Sequence, residues 1–163
     1  MLAAPEPLSL DHEIAGFSCG EASLDDWLRR RANANQVSGA SRTFVVQDRN
    51  AVVAYFALAS SAVAVAAGVG RFKRNMPDPI PVVVLARLAV AQSHHGRGIG
   101  RALFQDAGRR VLHAASSIGI RGLIVHALSD DAVAFYRRLG LDPSPLDPRT
   151  LMVTVADLRA ALE

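Results

Sequence analysis

Apolar residues run almost unbroken from 82 to 90, a polar turn follows, and Gly96, Gly98 and Gly100 then alternate with other residues. Beyond the turn a helical period sets in, with Ile99, Leu103, Ala107 and Val111 on one stripe and Phe104 and Leu112 beside it. That order predicts a strand, a glycine loop and a helix with one buried face. Residues 120–128 are nearly all apolar, which predicts a buried parallel strand. Ser129 is placed to cap a helix over 130–139, and Gly140 to end it. A last strand is expected over 150–155 and a short helix over 156–162.

The first half is less regular. Residues 1–20 carry Pro5 and Pro7 and at most a short strand near 8–10. Ser23 reads as an N-cap, with Asp25 and Asp26 in the first turn of a helix reaching about residue 35. Leu24, Trp27, Leu28 and Arg31 lie along one stripe of it. Stretches 43–47 and 51–60 read as strands joined by Asp48-Arg49-Asn50, a hairpin. Residues 62–81 form a connector. The sum is a helix and a hairpin, then β-loop-α-β-α-β: an α/β chain whose mixed sheet has about six to seven strands and helices on both faces.

Composition narrows the class. At 163 residues with half of them hydrophobic, one domain over 1–163 with a real core is expected. No apolar run reaches the ~18 residues of a membrane span. The N-terminus lacks the basic start and apolar core of a secretory signal. A lone cysteine, Cys19, leaves no internal disulfide and suits the cytoplasm. Net charge is +3, and Lys73 is the sole lysine among 18 basic residues. Arginine forks bind phosphate bidentately and stack on bases, which suits an RNA or nucleotide partner; a high-GC genome would give the same bias.

Strand, glycine loop and helix in that order aim backbone N–H groups and a helix N-terminus at a phosphate. The spacing is not that of a dinucleotide fingerprint, and no Gly-Lys-Ser/Thr marks a P-loop. The segment HHGRGIGRAL instead resembles the acetyl-CoA pyrophosphate loop of the GCN5-related N-acetyltransferases (GNAT), Gln/Arg-x-x-Gly-x-Gly/Ala. His95, Gly98 and Gly100 stand at its marked positions, His95 as a departure. The run from Ser129 to Leu141 is similar to the family's second acyl-CoA segment, Asn-x-x-Ala-x-x-Phe-Tyr-x-x-x-Gly-Phe, with Ser129 for Asn and Leu141 for Phe. LDDWLRRRA, SGASRTFVV, RNMPDPIPVVVLARLAV, IRGLIVHALSDDAVAFYRRLG and PSPLDPRTLMV narrow the resemblance to the acetyltransferase toxins of bacterial toxin–antitoxin modules, which acetylate the amino group of aminoacyl-tRNA.

The resemblance implies a GNAT-like fold, acetyl-CoA as cosubstrate, aminoacyl-tRNA as acceptor, a ribbon-helix-helix antitoxin and a homodimer. Main-chain groups around His95, Gly96, Arg97, Gly98, Ile99, Gly100, Arg101 and Ala102 would hold the pyrophosphate. Leu88, Ala89 and Val90 would pair with the pantetheine like an added strand, with the Val90 N–H as an oxyanion donor. Ser129 and Phe135 would lie near the pantetheine arm. Tyr136 would be the general acid for the departing thiolate; a free tyrosine, pKa about 10, is protonated at neutral pH. By periodicity alone Tyr136 is simply a core position.

Many family members carry a carboxylate base on the central strand, and residues 85–90 here have none. A lysine amine is neutral in only about 0.04% of molecules at pH 7, an α-amine in roughly 15%. An α-amine therefore needs less help, which fits aminoacyl-tRNA better than protein lysine. Arg87 stands in that stretch and could meet an acceptor-end phosphate or close a strand-edge salt bridge. Arg29, Arg30 and Arg31 read as a solvated helix end or an RNA contact. Arg71, Lys73 and Arg74 with Phe72 read as an exposed loop or a phosphate grip with one stacking ring. His126 could be a base acting through water, although a satisfied core histidine is the commoner case. His94 and His95 have no partner at ligand spacing, so no metal site is expected. Two rivals share the motifs: an acetyltransferase for a small amine or protein N-terminus, and a non-catalytic acyl-CoA-binding module.

Overall fold

The computed structural model describes residues 2–163. Its strands are β1 (Glu6–Pro7), β2 (Arg42–Asp48), β3 (Ala51–Val63), β4 (Ile80–Val90), β5 (Gly122–His126), β6 (Asp142–Pro143) and β7 (Thr150–Thr154). They form a mixed seven-stranded sheet in the order β1-β2-β3-β4-β5-β7-β6, the upper end of the expected range. The helices are α1 (Ala22–Trp27), α2 (Asn33–Ser38), α3 (Gly70–Lys73), α4 (Ile99–Ala115), α5 (Asp130–Arg138) and α6 (Val155–Leu162). The chain divides into two compact units, Met1–Ala59 with Ala86–Ala107, and Ser60–Leu85 with Gly108–Glu163.

In the first unit β2 and β3 form the expected antiparallel hairpin, with Phe44 opposite Phe56 and Asp48 opposite Ala51. Arg49 and Asn50 both take left-handed backbone angles, φ 53° and 71°. Such turns match the twist of the strands they join. The Gln47 side chain accepts the Asn50 N–H at 2.8 Å. Val45, Tyr55, Phe56 and Ala57 are fully buried, as are Leu28 and Ala32 from the helical segment.

That segment departs from expectation at its start. Its N-cap is Glu21, not Ser23, because the Leu24 and Asp25 amides bond to the Glu21 carbonyl. Asp25 is buried and spends its carboxylate on the Cys19 N–H at 2.9 Å. A wide π turn over Leu28–Ala32 joins α1 to α2. It hands the buried position to Ala32 and leaves Arg31 exposed, off the predicted stripe. The first strand lies at Glu6–Pro7 rather than 8–10; Leu8 is buried beside it.

In the second unit β4 pairs parallel with β5 over Val82–Leu85, and β5 pairs antiparallel with β7 over its whole length. The buried strand is thus parallel on one side only. The connector is partly helical: α3 lies within it, and its Phe72 is fully buried in a cluster with Ile80, Val82, Ile124 and Met152. Burying such a ring is worth about 2–3 kcal/mol. Phe72 packs so tightly on Gly122 that a Cβ there would lie 2.6 Å from the ring and 2.1 Å from the Val153 carbonyl oxygen.

Candidate active site

The glycine loop belongs to the first unit. Beyond β4 the chain is tied down by Ala91 N–H to Val53 O and Gln92 N–H to Ser18 O, both 2.8 Å. His95 Nε2 then donates to the Val90 carbonyl at 2.6 Å, a ring closing the base of the loop. His95 therefore holds the loop's shape from within, a role its position in the motif did not announce. Gly96 and Gly98 take φ 77° and 76°, and no heavy atom lies within 4 Å of where their Cβ atoms would be. Each glycine is needed for its backbone angle, and the space beside it is open. Ala102 N–H bonds the Gly98 carbonyl at 3.2 Å, so α4 starts there. The Ile99, Gly100 and Arg101 amides form its first turn, where no intrahelical acceptor exists and the helix dipole is positive. Arg97, Arg101 and Ala102 are exposed. Bare main chain, a helix start and flanking guanidinium groups suit a diphosphate.

Leu88 and Val90 are half-buried and Ala89 buried at the end of β4. Arg87 lies over the Trp27 ring, 5.1 Å from its centroid, and donates to its neighbour's carbonyl, Ala86 O, at 2.8 Å. Trp27 stacks on Tyr55, which meets Phe17 edge-on and donates its hydroxyl to Leu24 O at 2.7 Å. The cation–π contact, worth about 0.5–2 kcal/mol, gives Arg87 a place that neither sequence-based option named. Burial pushes the Tyr55 phenol pKa up, against the pull of Arg87.

The second acyl-CoA segment belongs to the second unit. Ser129 caps α5 as expected, its hydroxyl accepting the Ala132 N–H at 3.1 Å. Gly140 follows the helix with φ 98°. Tyr136 is 8% exposed, and burial pushes its phenol pKa well up. Its proton is therefore secure at neutral pH, as a hydrogen-bond or proton donor requires. Phe135 is half-buried and meets the Tyr136 ring edge-on at 5.1 Å.

The basic groups differ in their freedom. Arg29 donates to Phe17 O at 2.8 Å and pairs with Asp26 at 3.1 Å, whereas Arg30 and Arg31 are exposed. Arg71 pairs with Asp157 at 2.9 Å; Lys73 and Arg74 are exposed. Phe72 is corrected: its ring is core and is not offered to a base. Arg121 locks this helix by donating Nε to the Phe72 carbonyl at 2.9 Å.

His126 is a second correction. It is not a core histidine but an exposed residue ending β5, and it lines a cavity of about 210 Å³. Its Nδ1 lies 3.0 Å from Thr150 Oγ1, which donates to Asp147 Oδ2 at 2.9 Å. The apolar run hid this, since the last residue of a buried strand faces out as readily as in. The one sequence signal was Asp147-Pro148-Arg149-Thr150, a turn that presents two polar groups to the strand end. Among the described residues, no group of three His, Cys, Asp or Glu could hold a metal ion, and no helix is long and apolar enough to cross a membrane.

Residues 39–140 match the family model for the acetyltransferase (GNAT) domain. The chain is 49% identical over 160 residues, 98% of its length and 96% of the relative's, to a tRNA-acetylating toxin of Mycobacterium tuberculosis strain H37Rv. Among solved structures it is similar to AtaT complexed with acetyl-methionyl-tRNAfMet, with a TM-score of 0.91 and 27% identity over all of both chains. It is also similar to a tyrosine-to-phenylalanine mutant of the AtaT toxin bound to the C-terminus of the antitoxin AtaR and acetyl-CoA, with a TM-score of 0.83 and 28% identity over 98% of this chain and 97% of that one.

Proposed function

Because the chain belongs to the GNAT acetyltransferases, we propose that it moves the acetyl group of acetyl-CoA onto the α-amine of aminoacyl-tRNA and thereby stops translation. The observation that carries this reading is the likeness, over nearly the full length of both chains, to a tRNA-acetylating toxin. The solved relative with acetyl-methionyl-tRNAfMet supports the same acceptor, and the one with acetyl-CoA the same donor. A toxin role brings an antitoxin partner, as AtaR is for AtaT, and the ribbon-helix-helix class fits. A cytoplasmic enzyme fits these substrates, and the assembly we propose is a homodimer of one 1–163 domain.

The residue roles in this reading are supported by their surroundings. Acetyl-CoA, when bound, supplies an acetyl group activated as a thioester. The Gly96–Gly98 bend and the first amides of α4 hold its diphosphate, helped by Arg97 and Arg101. The chain direction at Leu88, Ala89 and Val90 offers main-chain groups to the pantetheine amides, and an N–H there faces the thioester oxygen. Tyr136 gives its proton to the departing sulfur; a buried phenol that never ionises near pH 7 is suited to that. Exposed Arg30, Arg31, Lys73 and Arg74 meet tRNA phosphates, while Arg29, Arg71 and Arg87 are already engaged and contribute less.

The test is incubation with labelled acetyl-CoA and total charged tRNA. Label is expected on the aminoacyl group, removable with the ester bond. Label on free amines or protein alone, never on RNA, would reject the reading. Binding of tRNA should weaken steeply with salt, and each exposed phosphate-contacting arginine changed to alanine should lower the salt slope by about 1.

A further inference from the structure

The chain lacks a carboxylate on β4, yet an α-amine still arrives mostly as its ammonium form at pH 7. Something must take that proton before the nitrogen can attack. The geometry points to the His126 cavity as the place where the acceptor amine is received, with His126 Nε2 as its proton acceptor and with Thr150 and Asp147 as positioning residues; this rests on the acceptor reading above.

The hydrogen bonds decide which ring nitrogen is free. Thr150 has one hydroxyl proton and donates it to Asp147 Oδ2. Toward His126 its oxygen can then only accept, so the 3.0 Å contact requires the proton on Nδ1. The neutral ring is thereby held as the tautomer whose Nε2 carries the lone pair. Asp147 is kept ionised for this work: the Arg149 N–H and the Thr150 hydroxyl hold its carboxyl below the usual range. Thr150 is itself buried, which fixes the link.

The place suits a substrate group. His126 ends β5, at the carboxyl end of the strand, where open α/β sheets receive ligands. The β4–β5 ladder stops at Leu85 and Val125, one residue before it. The cavity's other walls are mainly small or apolar, including Ala62, Val63, Ala67 and Ile124. Its 210 Å³ is below the size of a drug-like site and suits a single aminoacyl group. The charged groups around the ring are Asp147 and Arg149, and Arg149 is engaged by Leu128 O at 3.1 Å and Asp130 at 3.3 Å. The β3 wall and Ser144 bring no charge.

The ammonium gives one proton to Nε2, leaving imidazolium and a neutral amine. The nitrogen forms its bond to the acetyl carbon, the carbon–sulfur bond breaks, and the thiolate takes the Tyr136 proton. The second proton lost from nitrogen restores the phenol through solvent, and the imidazolium returns its own to water.

The test compares wild type with His126→Gln, Thr150→Val and Thr150→Ser on charged tRNA across pH 5.5–9. His126→Gln should lower kcat/KM about 100-fold at pH 7 and recover part of it at high pH, where the amine loses its proton unaided. Acetyl-CoA affinity by calorimetry and the melting temperature should not move. Thr150→Val should cost about tenfold and change the imidazole nitrogen-15 signals from the Nδ1–H pattern, while Thr150→Ser restores both. The inference is overturned if His126→Gln keeps the wild-type rate and pH profile, or if its loss is matched by loss of acetyl-CoA binding. If the wild-type protein labels no charged tRNA at all, the acceptor reading itself falls first and this inference with it.

Discussion

The cradle at Gly96–Ala102 and the cavity at His126 are built by opposite means. The cradle is mainly main chain: its geometry comes from two glycines at positive φ and a helix start, with the His95 ring closing its base. The cavity is side chain: a ring, a hydroxyl and a carboxylate brought together from β5, β7 and the turn before β7. A main-chain site is written in adjacent letters of the sequence. A side-chain site is written in letters 24 residues apart that mean nothing until the strands pair.

The largest effect expected is at the side-chain end. Tyr136→Phe should reduce kcat about 10³-fold while leaving acetyl-CoA affinity within a factor of two, measured by single-turnover kinetics and calorimetry. An unchanged turnover would remove Tyr136 from the chemistry and leave the cradle as the whole of the legible site.

Next come two glycines needed for different reasons. Gly122→Ala should cost about 3 kcal/mol of stability in a denaturant melt, because a Cβ would meet the Val153 carbonyl at 2.1 Å. Gly98→Ala meets nothing but must hold φ 76°, at a cost of about 1–2 kcal/mol. Its expected signature is a roughly tenfold weaker acetyl-CoA affinity with the fold intact. Gly119→Ala, with open space and no positive φ, is the control and should be near neutral. If Arg101→Ala weakens acetyl-CoA more than Gly98→Ala, the cradle is a side-chain site after all.

The smallest effect is in alkaline stability. Burial raises the phenol pKa of both Tyr136 and Tyr55 in the fold above that of the unfolded chain. Between the two values the folded protein holds more protons, so its stability falls as pH rises. The contribution is complete below about pH 10, the ordinary tyrosine value, and is lost above it. Thermal melts from pH 7 to 11 should be flat and then fall, and Tyr136→Phe should soften the fall.

Much of the fold could be read from the chain itself. The β4–loop–α4 order, the Ser129 cap on α5, the hairpin turn at Arg49 and Asn50 and the last strand all depend on neighbouring residues, and all were found where the pattern puts them. The misplacements came where a distant group intervened. Asp25 turned inward to the Cys19 amide, and the N-cap of α1 fell on Glu21 instead of Ser23. Phe72 sits among four basic or polar neighbours, Arg71, Lys73, Arg74 and Asn75, and reads as a surface ring, but Ile80, Val82, Ile124 and Met152 drew it into the core. Arg87 also lies over the Trp27 ring, a contact between residues 60 positions apart that no neighbouring residue announces.

By itself, then, the order of residues determined the strand–loop–helix cradle, the capped helix that carries Tyr136, and the family to which both belong. Those are local matters, set by backbone angles, caps and periodicity within a few residues. Tertiary structure alone decided which basic groups stay exposed, which ring is buried, and that His126, Thr150 and Asp147 form a chain of hydrogen bonds. The reason is physical: a side chain's partners are fixed by which strands pair and in what register, and that choice is made by the burial of the whole core rather than by any segment of it.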